Sequence, residues 1–462
     1  MILELLAIYA SILLGCIIST SCLIVLGKSW GRLPYYYLRI VRWIQDFYPK
    51  VYPRSAAPWP AIIKKSPRNC LLRNKGSSNV QFSFLLHSKD LLELSVDAMH
   101  SGLEAIVQDT LSHAFDRAPS YVETLLRFTP HPQWSGSQKA LFYLTLLFRC
   151  GFLLPIRMSF LLLSFVFLFG AGVVAVNKRL TDKEKTWIGI VYCKLFCCGM
   201  GSVTLFRNRH LRPRGSGVAV ANHMTPNDIQ VLFADTPLGA QYGYVITGQK
   251  HKGIIGYIES LANHLCPTYW VERKNASDRR DFLTEIIKKA KARSNFGGPV
   301  LLFPEGYCSN NTQVLQFRKA IFSEGIRIYP VALKQKSRYG DAFWWDEQFY
   351  EYLLRVMCSW ATYYDVTYLP SMTQFSHETN AEFAARVQAV ICDVIDVPAG
   401  EFDGSLWYNK SERRRLLDLQ KEICAIALLS CHRDKEKMES DDGYYSVSSG
   451  FAAQEDLSVQ VN

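Results

Sequence analysis

Residues 5–26 form an almost unbroken apolar run, about the length a helix needs to cross a ~30 Å hydrocarbon core. A cleaved secretory leader has a basic start and a shorter apolar stretch. This chain opens Met1-Ile2-Leu3-Glu4, so the run reads as an uncleaved anchor, and the rest of the chain must fold beside a membrane. The mean hydropathy of the whole chain is nevertheless zero, too polar for a polytopic transporter. A water-facing body tethered by a few apolar segments is the consistent arrangement. With 462 residues, 49% of them hydrophobic, the chain has room for two or three structural units and is too apolar for disorder over most of its length.

Charge sharpens the picture. Residues 28–75 carry eleven Lys and Arg against a single acid, Asp46, in a chain whose net charge is +11. The same stretch holds Trp30, Tyr35, Tyr36, Tyr37, Trp43, Phe47, Tyr48, Tyr52 and Trp59. Bases mixed with aromatics suit nucleic acid, but next to an apolar span they suit a lipid headgroup layer; a membrane surface and no nucleic acid is the expectation. By the positive-inside bias this segment faces the cytosol and the N-terminus faces the lumen. Thirteen Cys without framework spacing argue against a secreted disulfide scaffold. Cys193, Cys197 and Cys198 cluster without a histidine at ligand spacing, so no metal site is expected.

A second apolar region, residues 140–176, is broken by Arg149, Pro155 and Arg157 and followed by Lys178, Arg179, Lys183 and Lys185. Bases on both flanks are reconciled by a hairpin bent at Pro155; a single crossing is the alternative. Residues 187–206, interrupted by Lys194 and glycines, read as an interfacial helix beneath the body. The expected organisation is an anchor (1–27), a basic aromatic juxtamembrane segment (28–79), a cytosolic helical region (80–138), a membrane hairpin or span (139–177), an interfacial helix and linker (178–214), a catalytic domain (215–434) and a disordered tail (435–462). Nothing in the sequence bears on oligomeric state.

From about residue 215 short apolar runs alternate with helical stretches. Residues 218–220, 242–246, 269–271, 300–303 and 326–333 read as strands. Residues 277–293 read as a helix: Ser277 suits its cap, Asp278 and Asp281 its first turn, and Lys288, Lys289, Lys291 and Arg293 its last. Phe282, Leu283, Ile286, Ile287 and Ala290 give it one apolar face. The alternation predicts an α/β fold with a largely parallel sheet flanked by helices.

Polar groups follow three of these strands, where open α/β sheets bind ligands. In Asn222-His223-Met224-Thr225-Pro226-Asn227-Asp228, Pro226 suits the first turn of a helix. A turn before that helix lets the Asp228 carboxylate fold back onto the His223 imidazole, giving an oriented general base. A surface pair is the plainer alternative. Arg273, followed by Lys274, ends the strand 269–271 with a cation suited to phosphate, or with an ordinary surface charge. In Phe303-Pro304-Glu305-Gly306-Tyr307-Cys308 proline halts the strand and glycine permits close backbone approach. Glu305 is left at the sheet edge; Cys308 reads as structural.

Together and in this order the three blocks resemble motifs I, II and III of the glycerolipid acyltransferase family: a His-x4-Asp block, an Arg at a strand end and a Phe-Pro-Glu-Gly turn. Tyr329-Pro330-Val331-Ala332-Leu333 resembles the family's fourth motif. Residues 101–106, 152–157 and 340–344 resemble its microsomal glycerol-3-phosphate acyltransferase branch, types three and four. The resemblance runs from about residue 101 to residue 428. It implies the fold of that family and acyl transfer from fatty acyl-CoA, a co-substrate, to the sn-1 hydroxyl of glycerol 3-phosphate, with no cofactor. His223 would be the base, oriented by Asp228. Arg273, helped by Lys274 or Lys319, would hold the phosphate. Glu305, Gly306 and Asn222 would complete the substrate site, with Glu305 on the glycerol hydroxyls. It further implies an endoplasmic reticulum membrane protein with its catalytic face in the cytosol. A lysophospholipid acyltransferase, or an inactive scaffold of the same fold, are the alternatives. One departure stands out: the family turn usually reads Glu-Gly-Thr, and Tyr307 replaces the threonine here.

Overall fold

The strand Val218-Ala219-Val220-Ala221 is buried at every position, as a parallel strand covered on both faces must be. In the computed structural model it is the centre of a seven-stranded sheet: β1 (Ser202–Arg207), β2 (Val218–Ala221), β3 (Val245–Gln249), β4 (Thr268–Val271), β5 (Val300–Leu302), β6 (Ile328–Gln335) and β7 (Thr362–Tyr368). The spatial order is β1-β7-β6-β2-β5-β3-β4. Every pair is parallel except β6–β7, so β1 and β7 run against the other five. The structure describes residues 2–48, 134–249, 276–292, 297–344 and 348–404, together with 114–115, 130, 260, 263, 265 and 268–271. All of these belong to one unit, residues 1–57 and 111–405; the other, residues 58–110 and 406–462, lies outside the described residues. The expectations for residues 49–113 and for the tail therefore fall outside them as well.

The described helices are α1 (Ile2–Val25), α2 (Leu33–Asp46), α3 (Gly136–Phe148), α4 (Leu154–Asn177), α5 (Asp182–Gly199), α6 (Asp228–Ala234), α7 (Ala276–Lys291), α8 (Phe349–Met357) and α9 (Asn380–Ile395). Period-two alternation along β2 splits the core in two. Val218 and Val220 point to one face, among Val300, Ile328, Ile286 of α7 and Phe383, Val387 and Ile391 of α9. Ala219 and Ala221 point to the other, among Leu301, Val331, Ile190 of α5 and Val231, Leu232 and Phe233 of α6. Each fully buried Val, Leu or Ile here contributes about 1.5–3 kcal/mol of burial free energy. Helix α5 has a second apolar side: its Val191 and Leu195 pack with Ile24 of α1 and Phe160 of α4. It is a wedge between the sheet and the apolar helices. Its Gly199 sits so near α4 that a Cβ would lie 2.8 Å from the Leu161 nitrogen.

Two stretches, Leu3–Val25 and Gly136–Asn177, are long and apolar enough to cross a membrane. Outward from α4 point Leu162, Val166, Phe169 and Val176, all exposed, as a lipid-facing side would be. Helix α2 buries Leu38, Val41 and Gln45 and exposes Leu33, Tyr36, Ile40 and Trp43, an interfacial pattern.

Several expectations need correction. The hairpin bent at Pro155 is absent: α3 and α4 are joined by a π-helical turn, Arg149–Leu153, whose flanking residues all stay right-handed helical. Pro155 lacks the N–H that a continuous helix would use, and the ladder adjusts at the π-helical turn directly ahead of it. The reversal comes instead after Asn177, with α5 returning along α4. The segment 178–214, expected as helix and linker, contains β1, so the sheet begins ahead of residue 215. Helix α7 starts at Ala276, placing Ser277 inside its first turn and not at the cap. Strand β3 lies three residues later than expected.

Candidate active site

Strands β2 and β5 are adjacent and parallel, so their carboxyl ends share one edge of the sheet. Residues 222–228 leave the first and residues 303–308 leave the second. The two turns meet. The imidazole Nδ1 of His223 lies 3.0 Å from Asp228 Oδ2, and the same oxygen accepts from the backbone N–H of Met224 at 2.7 Å and of Thr225 at 3.0 Å. Helix α6 begins at Asp228, just after Pro226, so the turn ahead of it lets the carboxylate fold back as the spacing required. Asp228 is fully buried while the His223 side chain keeps 15% of its surface.

The second turn supports the first. Phe303 stacks on the imidazole with ring centroids 4.1 Å apart. Glu305 is fully buried, one oxygen accepting from the His223 backbone N–H at 2.6 Å and the other from the Leu315 N–H at 2.7 Å. Ser309 N–H donates to the His223 carbonyl at 2.9 Å. The expected contact of Glu305 with substrate hydroxyls is thus not what the geometry presents: its oxygens are committed to main chain, and it presents no surface. Burial pushes its carboxyl up to about 8, against the two N–H donors and the nearby imidazole. Asn222 is likewise a pin and not a substrate ligand: it is buried, and its amide exchanges two 2.8 Å bonds with the Leu333 backbone, locking β2 to β6.

Gly306 adopts φ +74°, a left-handed conformation that favours glycine. A Cβ there would lie 2.9 Å from the Arg318 guanidinium carbon. Its own N–H donates to the Phe303 carbonyl, closing the turn. Tyr307 packs against Gly404, with the Arg318 guanidinium 5.5 Å over its ring. Lys319, next in the chain, is exposed. Arg273 and Lys274 lie outside the described residues, although β4 ends at Val271 on the carboxyl edge of the sheet.

Burial works against the His223 imidazolium, yet the neighbouring Cys308 thiol and the Asp228 carboxylate outweigh it, and the pKa is raised to about 10. Cys308, expected from sequence as structural, therefore lies beside the imidazole. Phe303 carried a signal in the Phe-Pro-Glu-Gly turn; Cys308 carried none beyond its place after it.

A buried carboxylate orienting a partly exposed imidazole at the carboxyl edge of a parallel sheet can take a proton from a bound hydroxyl. Residues 203–334, which span both turns, match the family model described as Acyltransferase. Among curated proteins, glycerol-3-phosphate acyltransferase 3 of Mus musculus is 33% identical over 329 residues, covering 70% of this chain and 72% of that protein. The Homo sapiens protein of the same name is 30% identical over 430 residues, covering 91% and 94%. Glycerol-3-phosphate acyltransferase 4 of Homo sapiens is 30% identical over 348 residues, 73% of each. The chain belongs to the glycerol-3-phosphate acyltransferase family.

Proposed function

We propose that this protein transfers a fatty acyl group from acyl-CoA to the sn-1 hydroxyl of glycerol 3-phosphate, giving lysophosphatidic acid for phospholipid and triacylglycerol synthesis. The observation that carries the reading is the His223–Asp228 pair, with a His223 side chain that is 15% exposed; the names of the relatives supply the acceptor. With Asp228 accepting from Nδ1–H, Nε2 is the nitrogen left to take the proton of the acceptor hydroxyl, which competes there with the Cys308 side chain. The hydroxyl oxygen attacks the thioester carbon, the C–S bond breaks, and the imidazolium returns the proton to the CoA thiolate. A thioester is already activated, so the scheme needs neither cofactor nor covalent intermediate. Base catalysis supplies roughly 10²–10⁴-fold, and holding both substrates together as much as about 7–11 kcal/mol. Positioning is the larger effect.

Arg273, with Lys274 or Lys319, is the proposed phosphate ligand. Arg273→Ala is expected to raise KM for glycerol 3-phosphate and leave KM for acyl-CoA unchanged, and an unchanged acceptor KM at normal turnover would refute the role. A lysophosphatidic acid acyltransferase is the alternative, since its acceptor also offers phosphate and hydroxyl. Initial rates with the two acceptors side by side decide between them. Tyr307 raises the inactive scaffold as a further alternative, which measurable transfer dependent on His223 would remove. The reading includes an endoplasmic reticulum location with the catalytic face in the cytosol, supported by the bases that follow α1.

The raised pKa of His223 makes turnover depend on pH. The base must be neutral to act, and the folded site holds its proton above the usual imidazole value of about 6.5. The resulting stabilisation is present below pH ~6.5 and lost as pH rises towards the folded value. Accordingly kcat/KM is expected to climb with pH along a limb lying above ~6.5, and Cys308→Ala to move that limb down. A limb at or below ~6.5 in the unaltered enzyme would contradict this.

A further inference from the structure

Helix α8 stands between the catalytic turn and α4. From it Tyr352, 2% exposed, reaches the turn: its phenolic oxygen accepts from Asn227 Nδ2 at 2.9 Å and lies 3.2 Å from Thr225 Oγ1. Both residues fall between His223 and Asp228. Thr225 also gives its N–H to Asp228 Oδ2, and its Oγ1 accepts from the Asn227 N–H at 3.2 Å. One phenol therefore grips the loop whose shape decides whether the carboxylate meets the imidazole.

The far end of α8 is gripped as well. A helix leaves its last carbonyls without intrahelical donors and carries partial negative charge there. Arg157 of α4, itself 5% exposed, donates through Nη1 to the carbonyls of Met357 and Ser359, each at 2.6 Å, and through Nη2 to that of Trp360 at 2.6 Å. On the flank of the same helix, Arg355 donates to the carbonyls of Asp341 and Phe343. Tyr352, Val356 and Met357 pack with Leu161 of α4 and Met200. Arg157 of the apolar helix α4 thus holds the carboxyl end of the same short helix whose Tyr352 hydroxyl supports the turn carrying His223.

We propose that Tyr352 is a positioning residue through which α4, by way of Arg157, sets the geometry of the His223–Asp228 pair. The inference rests on the reading of His223 as the base. The test uses the full-length chain in lipid nanodiscs, with palmitoyl-CoA and glycerol 3-phosphate as substrates. Tyr352→Phe keeps the ring, which stacks on Trp344 at 5.6 Å, and removes only the oxygen. The expected result is a kcat lower by roughly ten- to a hundredfold, the range a small misplacement of reacting groups produces. KM for either substrate should not change, and the acid limb of the pH profile should shift down as the pairing with Asp228 loosens. Arg157→Lys should lower kcat too, and its combination with Tyr352→Phe should lose little more than the worse single variant, because both act on one route.

A wild-type kcat and pH profile in Tyr352→Phe, alongside an inactive His223→Ala, overturns the positioning role and leaves the base standing. Multiplying losses in the double variant overturn the shared route. Full turnover in both His223→Ala and Tyr352→Phe removes the base and this inference with it.

Discussion

Replacing His223 by alanine is expected to lower kcat by about 10²–10⁴-fold while the protein stays folded. The ring stacks on Phe303 and keeps 15% of its surface, so the space it vacates opens in part to solvent. The turn keeps its shape through the His223 backbone, whose N–H and carbonyl are bonded to Glu305 and Ser309 and survive the substitution. Asp228→Asn should cost a similar factor for a different reason. A single oxygen, Oδ2, meets Met224, Thr225 and Nδ1 together, so in the variant the amide oxygen takes that place and the N–H₂ takes the other. The ring keeps its tautomer but loses the neighbouring negative charge that favours proton uptake at Nε2. Rates with radiolabelled glycerol 3-phosphate and palmitoyl-CoA check both variants. Turnover at the wild-type level in His223→Ala would end the case for the base, whatever else the site holds.

How far such a site can be read from sequence depends on which distances a sequence encodes. The His223–Asp228 contact is local: a short turn and a proline contain it, and the folded chain makes it. The parallel sheet is legible in β2 and β5 because a strand buried on both faces must be apolar throughout. Strand β7, Thr362-Tyr363-Tyr364-Asp365-Val366-Thr367-Tyr368, has no such signal, because an edge-side strand next to β1 mixes aromatic, polar and charged residues. Strand β1 hides behind the apolar helix that precedes it. The π-helical junction at Arg149–Leu153 has no separate signature, since arginine and proline in an apolar run mark a bend as readily as a continuation. What makes continuation the stable choice lies far along the chain: Arg157 is satisfied by carbonyls some 200 residues away. A charged group inside an apolar helix is tolerable when it is fully hydrogen-bonded, and no local pattern reveals such a partner.

The same limit applies to carboxylates. A glutamate in a turn at the sheet edge invites a ligand role, whereas its bonds to His223 and Leu315 emerge only when the turns are set side by side. The Tyr307 departure is similar. As a sequence change it suggests a filled pocket; in the structure the ring has a place of its own under Arg318 and against Gly404, and the His223–Asp228 contact is intact.

Glu305→Gln tests that reassignment and should have the second largest effect. Gln replaces one accepting oxygen by a donor, so either the His223 or the Leu315 N–H loses its partner and meets another N–H in a fully buried site. Leaving a buried donor unsatisfied costs about 1–3 kcal/mol, visible as a drop of several degrees in Tm for a unit of this size. The turn under His223 shifts at the same time, so kcat should fall on the order of a hundredfold, as sub-ångström to ångström displacements of a base do, with KM for glycerol 3-phosphate held. A glutamate that instead bound the glycerol hydroxyls would behave in the opposite way: Gln would leave Tm alone and raise KM for the acceptor. Glu305→Asp separates the two further, because a side chain one methylene shorter cannot span from the His223 N–H to the Leu315 N–H yet keeps its charge for a substrate. Loss of Tm and kcat in both variants identifies Glu305 as the brace between the two turns; an acceptor KM effect at full stability would return it to the substrate.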